Sequence, residues 1–381
     1  MKKIFLVTLL ILIVCMKWGL CAQENRHGSS SNEIDTEILQ KAKETMGKGL
    51  KWLASMQRED GSWSNTNFPA LTALAVMPFV KSDYPERDKI CEKAIKFIVG
   101  FVQKDGGIYK PASGGRGSGG LSVYNTAVCM MVLNAVDKQK YAEMILNARS
   151  FMKNSQLVGD SPAAGGFGYE NDATSRRADL SNTAWVLRAM AETRSVEDLR
   201  KGSERVDIDW KAAIEYVRKL QNQNKDDMDN FGSFGYDMSG ERGGIMAGKD
   251  KKVRLAGYGS MTYAGLEAMI FADVDRKDPQ VRSAIEWAGK HWSVEENPGM
   301  GQKGLFYYYN IISKTLSLLG SEALKDTSGR IIPWKHDLID QLIKTQRTDG
   351  SWINTDNQFW EGDPVLVTAY SLISMQYTLG E

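Results

Sequence analysis

Two kinds of apolar pattern alternate along the chain. In the first, apolar residues return every three or four positions: ILQKAKETMGKGLKWLASM (38–56), KAIKFIVGFV (93–102), AEMILNARSFMKNS (142–155), WKAAIEYVRKL (210–220), VRSAIEWAGK (281–290) and LIDQLIKT (338–345). This spacing predicts amphipathic helices with one face inward. In the second, nearly every position is apolar, small or hydroxylated: ALTALAVMPFV (70–80), SVYNTAVCMMVL (122–133), DLSNTAWVLRAM (179–190), GSMTYAGLEAMI (259–270), YYYNIISKTLSLL (307–319) and VLVTAYSLISMQ (365–376). A helix that is apolar all round is a buried helix. Thr-Ala recurs in these segments at Thr72, Thr126, Thr183 and Thr368, and Thr-Tyr-Ala at Thr262.

A turn joins each outer segment to the inner one that follows. Gln57, Gln103, Gln156, Gln221 and Gln346 close five of the six outer segments, and His291 the sixth. Glycine–aromatic pairs follow at Gly61/Trp63, Gly107/Tyr109, Gly166/Phe167, Gly232/Phe234 and Gly350/Trp352, with Gly304/Phe306 a looser match. The heptapeptide QREDGSW (57–63) returns near the other end as QRTDGSW (346–352). A fixed pattern recurring along a chain marks a repeat architecture. Six hairpins fill residues 33–381. An open solenoid uses the same hairpins, but a ring gives a reason to stop at six. The expected fold is therefore all-α, an (α/α)6 toroid of six helical hairpins whose first and last members meet.

The Gln-x-x-x-Gly-x-Trp pattern at Gln57–Trp63 and Gln346–Trp352 resembles the QW repeat of squalene and oxidosqualene cyclases. That group shares its toroid with the β-subunits of protein prenyltransferases. The motif chemistry suits the fold. The Gln amide can serve carbonyls at the outer helix end, Gly permits the turn, and the aromatic covers the junction with the next hairpin.

The start of the chain adds a location. Met1-Lys2-Lys3 is basic, residues 4–16 are apolar apart from Thr8, and small Ala22 precedes a polar stretch from Gln23. Residues 1–22 read as a secretory signal peptide, and 23–32 as a disordered mature N-terminus. A retained anchor is the alternative, although the apolar run is short for a span. The mature protein is expected outside the cytoplasm, periplasmic or extracellular, with no further transmembrane segment. Cleavage leaves Cys91 and Cys129, too few for a disulfide framework; free buried thiols or a single bridge are both open. With 48 basic and 47 acidic residues, a net charge of +1, nothing points to nucleic acid.

The outer-to-inner links are the long ones, 104–120, 157–178 and 222–258 above all. In a ring of antiparallel hairpins they lie at one end, together with the N-termini of the inner helices. Long loops carry function more often than short ones, and helix N-termini favour an anion or electron-rich group. Arg116, Arg176, Arg177, Lys251, Lys252 and Arg254 belong to these links, as ligand contacts or as solvated charge. The candidate cavity mouth comprises Tyr124, Asn125, Asp179, Asn182, Arg254, Tyr258, Tyr263, Tyr308, Trp360 and Asp363. Aromatics with few polar groups suit an apolar or sugar-like ligand. Asp179 and Asp363 are equally well placed as helix N-caps, and the tyrosines as interior packing.

The resemblance also implies what to look for in the chemistry. Squalene cyclases carry an Asp-x-Asp-Asp-Thr-Ala segment whose middle Asp protonates the substrate. The matching stretch is DLSNTA (179–184): Asp179, Thr183 and Ala184 match, but Ser181 stands for the proton donor and Asn182 for the next Asp. A neutral hydroxyl cannot protonate an alkene. The prenyltransferase zinc ligands, an Asp-x-Cys pair and a later His, fall on Ala256–Tyr258 and Val367, and His27, His291 and His336 lack ligand spacing. The Cys-Gly-Glu-Gln of complement-type thioester domains is absent, because Met follows Cys129. No phosphate-binding or dinucleotide-binding motif is present. The expected function is an exported toroid that binds or converts an isoprenoid-like lipid, without class II protonation, zinc-dependent prenyl transfer or any cofactor. The alternative is a toroidal carbohydrate-binding or carbohydrate-processing protein.

Overall fold

The computed structural model describes residues 34–380 except 115–119, 172–176, 203, 239–244, 248–252 and 321–322, and leaves out the side chains of 245–247 and 253–255. The predicted signal peptide and N-terminal segment, and Arg116, Arg176, Lys251 and Lys252, lie outside the described residues. Six outer helices, α1 (Thr36–Ser55), α3 (Arg87–Val99), α5 (Ala142–Ser155), α7 (Trp210–Lys219), α9 (Pro279–Lys290) and α11 (Trp334–Thr345), alternate with six inner ones. The inner helices are α2 (Pro69–Val80), α4 (Ser122–Asp137), α6 (Leu180–Glu192), α8 (Gly259–Phe271), α10 (Leu305–Leu319) and α12 (Pro364–Leu379). The described strands are β1 (Ile245–Ala247) and β2 (Val253–Leu255), an antiparallel ribbon inside one long link.

The two predicted patterns become the two layers. Helix α1 starts on Asp35, whose carboxylate accepts from Ile38 N at 2.8 Å, and buries Ala42, Thr45, Met46, Gly49, Leu50 and Leu53, a single stripe at helical spacing. Helix α4 buries every residue from Asn125 to Leu133. Each inner helix packs on the next, and α12 packs on α2, so the toroid is closed.

The repeated turn explains the repeated letters. Gln57 Nε2 donates to Gly61 O at 3.1 Å and to Ile90 O on α3 at 3.0 Å. At the closure, Gln346 Nε2 donates to Gly350 O at 2.9 Å and to Thr45 O on α1 at 2.8 Å. The amide thus stitches its own turn to the next outer helix, rather than capping its own helix end as the motif chemistry suggested. Gly61 has φ +88, and a Cβ there would lie 2.2 Å from Lys93 O; Gly350 meets Lys48 O in the same way. Two residues on, the Trp63 and Trp352 amides donate to Thr72 Oγ1 (3.1 Å) and Thr368 Oγ1 (3.0 Å). The same amide–threonine bond joins Ile108 to Thr126, Phe167 to Thr183 and Phe234 to Thr262. This corrects two expected pairings. The slots are Gly106/Ile108 and Gly165/Phe167, because only these put the glycine against the neighbouring outer helix and the next-but-one amide on the threonine. Tyr109 instead leans outward, with its hydroxyl on Asp105 at 2.8 Å.

Cys91 and Cys129 are both buried and free. Burial pushes the Cys91 thiol up to about 11. Among the described residues no helix is long and apolar enough to cross a membrane.

Candidate functional site

All six inner helices present residues of their first turns to one cavity of about 950 Å³ at the end of the ring that carries the long links. This is the upper end of the roughly 300–1,000 Å³ range of small-molecule sites. Leu71 (α2), Tyr124 (α4), Ser181 and Trp185 (α6), Ser260 and Met261 (α8), Tyr307 (α10), and Leu366 and Tyr370 (α12) form the wall. Ser181/Trp185 and Leu366/Tyr370 are i, i+4 pairs, so one face of each helix is turned inward. The links add Phe68, Tyr169, Tyr236, Tyr258, Asn297, Met300, Lys303, Phe359 and Trp360.

The polar groups of the interior serve one another. Ser181 Oγ lies 3.0 Å from the Tyr307 hydroxyl, and the Tyr169 and Tyr236 hydroxyls are 3.1 Å apart. Tyr124 and Tyr370 share a hydrogen bond. Burial pushes the Tyr124 phenol up to about 12 and those of Tyr307 and Tyr370 higher still, so the wall is neutral. Behind it, the Arg188 guanidinium sits 4.7 Å over the Trp185 ring and pairs with the buried Glu267, Nε to Oε1 at 2.6 Å. No Asp or Glu lines the cavity among the described residues; its one charged lining side chain is Lys303. Among the described residues no group of three or more His, Cys, Asp or Glu is placed to share a metal ion.

One side of the mouth is a strap. Gln358–Trp360 form a short 3-10 turn in which Phe359 (φ 55) and Trp360 (φ 69) are successive left-handed non-glycine residues. Each such residue costs on the order of 1–3 kcal/mol, and such strain concentrates at binding sites. Leu121, also on the cavity, is a third at φ 54. Trp360 meets Phe68 edge-on at 5.1 Å. The strap is anchored by Glu361, fully buried, whose carboxylate accepts from Tyr307 N (2.7 Å), Phe306 N (3.2 Å) and Asn354 Nδ2 (2.7 Å). Burial raises its pKa to about 7, against the pull of these donors.

Of the residues expected at the mouth, Tyr124, Tyr258 and Trp360 line the cavity. The others are placed elsewhere, each for a stated reason. Asn125 is turned into the wall, accepting from Ala70 N at 3.0 Å and donating to Gly120 O at 2.9 Å. Asp179 caps α6, taking Asn182 N and Asn182 Nδ2, both at 2.8 Å, and this draws Asn182 away from the cavity as well. Asp363 caps α12 through Val365 N at 2.9 Å and accepts from Ser64 Oγ. Tyr263 is buried between helices, 5.8 Å edge-on to Tyr308. Tyr308 turns outward to donate to Ser293 O at 2.9 Å, which leaves Tyr307 as the cavity residue of that run. Arg254 belongs to β2, and its side chain lies outside the described part. Tyr169, Trp185, Tyr236 and Tyr370 were not anticipated. The i+4 step from Ser181 to Trp185 and from Leu366 to Tyr370 is the signal that points to two of them.

No protein-family signature matches the chain, and no curated protein sequence matches it. Solved structures do. The type II terpene cyclase MstE from Scytonema, without ligand, is 15% identical with a TM-score of 0.54, over 88% of this chain and 97% of that one. A variant of it in complex with geranylgeranyl dihydroxybenzoate is 13% identical with a TM-score of 0.56, over 91% and 99%. An inactive alpha-1,6-mannanase of Salegentibacter sp. with alpha-1,6-mannotriose is 11% identical with a TM-score of 0.54, over 89% and 100%. The chain therefore has a terpenoid cyclase-like α/α toroid fold, which glycoside hydrolases of this kind share.

Proposed function

We propose that this protein is an exported toroid that binds an isoprenoid-like lipid in its cavity, without alkene protonation and without zinc-dependent prenyl transfer. The observation that carries the reading is the wall itself: aromatic rings and mutually bonded hydroxyls, with no lining carboxylate among the described residues. Retaining and inverting glycosidases need a pair of carboxyl groups across the scissile bond. Alkene protonation needs an activated carboxylic acid, whereas Ser181 faces the cavity at the position where the resemblance implies one. The nearest carboxylate in that segment, Asp179, is engaged at the helix N-terminus. The reading includes Gln57–Trp63 and Gln346–Trp352 as QW motifs of the squalene cyclase kind. The neighbour in complex with geranylgeranyl dihydroxybenzoate shares this fold and supports the ligand class.

The test is binding with a narrowed cavity as control. Geranylgeraniol titrated into the mature protein is expected to quench tryptophan fluorescence saturably, with affinity rising as the chain lengthens, at about 0.8 kcal/mol per buried methylene. Ser181→Trp narrows the interior and is expected to weaken binding. Squalene and oxidosqualene are recovered uncyclised. Polycyclic products, or saturable binding of mannotriose in place of the lipid, would overturn the reading.

A further inference from the structure

The polarity of the cavity is segregated, and this says which end of a ligand goes where. Inside, the wall hydroxyls bond to one another and are neutral: Ser181 with Tyr307, Tyr169 with Tyr236, Tyr124 with Tyr370. An anionic head placed there would lose its water with no cation on the described wall to meet it, which is costly in a low-dielectric site. At the mouth the situation is reversed. Lys303 is exposed and lines the cavity beside Gly304 at the start of α10, and its ammonium has no hydrogen-bond or ion-pair partner among the described residues. Arg188, behind the wall, is engaged with Glu267. Asn297, next to Lys303 on the rim, is saturated: it accepts from Ser260 N at 2.9 Å and donates to Lys303 O at 3.1 Å. The only charge the described lining can offer a ligand is one unpaired ammonium at the opening.

We propose that the ligand is an acidic amphiphile, with an apolar chain against Trp185, Tyr307 and Tyr370 and an anionic head paired with Lys303. This rests on the lipid-binding reading above and deepens it by naming the head group. A carboxylate and a phosphate monoester share the required chemistry. An ion pair at an exposed rim contributes up to roughly fivefold in affinity and is screened by salt.

The experiment compares geranylgeraniol, geranylgeranoic acid and geranylgeranyl monophosphate on the wild type, Lys303→Gln and Lys303→Glu, in low and high salt. The wild type is expected to bind at least one acid about 2–5-fold tighter than the alcohol, and which acid leads identifies the head. The preference, read as the ratio of acid to alcohol affinity within each protein, shrinks in high salt, disappears in Lys303→Gln and reverses in Lys303→Glu. Equal affinity of the wild type for alcohol and both acids, or a preference that survives Lys303→Glu, overturns the proposal and leaves lipid binding standing. If none of the three binds, both readings fall together.

Discussion

Closure of the ring can be tested by adding one methyl group at either of two positions on a single helix. Gly47 and Gly49 both lie on α1. A Cβ on Gly47 would meet nothing within 4 Å; on Gly49 it would lie 2.8 Å from Trp352 Cζ3 and 2.9 Å from Leu372 Cδ2, atoms of the last hairpin. Glycine inside a helix is worse than alanine by about 0.8–1 kcal/mol, so Gly47→Ala should stabilise by roughly that amount. Gly49→Ala gains the same propensity, but it drives a methyl into the fully buried Trp352 ring. Overpacking of this kind costs typically about 1–3 kcal/mol. The helix contribution cancels between the two variants, so Gly49→Ala should be less stable than Gly47→Ala by about 1–3 kcal/mol. For about 350 ordered residues the unfolding entropy is about 0.7 kcal/mol/K, and the Tm values should differ by about 1.5–4 °C. Scanning calorimetry of both variants beside the wild type reads this directly. If both alanines stabilise equally, Trp352 does not rest on α1 and the first and last hairpins do not meet.

Three further outcomes follow from buried charges and from the N-terminus. Arg188→Met leaves Glu267 as an unpaired buried carboxylate and should cost about 3–5 kcal/mol in chemical denaturation, while Arg188→Met with Glu267→Leu recovers most of it; a double variant no better than the single one refutes the pairing. Glu361 has its pKa raised by burial from 4.5 to about 7, so between those values the folded protein holds a proton that the unfolded chain releases. Stability should therefore fall as pH climbs through that window, by about 3 kcal/mol, and Glu361→Gln should flatten the slope; an unchanged slope in the variant contradicts this. N-terminal sequencing of native protein should begin near Gln23, and an intact Met1 in the cytoplasmic fraction would refute export.

The hairpins were legible because burial writes itself into spacing: a stripe for α1, unbroken apolarity for α4. The recurring threonine was visible for the same reason, since a buried turn amide needs a fixed acceptor at Thr72 and its equivalents. The cavity was less legible. In an inner helix nearly every residue is buried, so burial does not say which face turns to the cavity, and neighbouring residues are about 100° apart around the axis. That ambiguity separates Ser181 from Asn182 and Tyr307 from Tyr308, and it was resolved by local bonds: the Asp179 cap and the Ser293 carbonyl. Tyr169, Tyr236 and Phe359 come from links without periodicity, where no pattern reports direction. The departure at Ser181 was readable because it concerns identity rather than orientation.

The claim that the cavity holds a lipid is tested most directly by what the native protein retains. Purified from its source under mild conditions and analysed by mass spectrometry for both lipids and glycans, the protein is expected to carry a near-stoichiometric apolar lipid. A near-stoichiometric oligosaccharide without lipid would contradict the account.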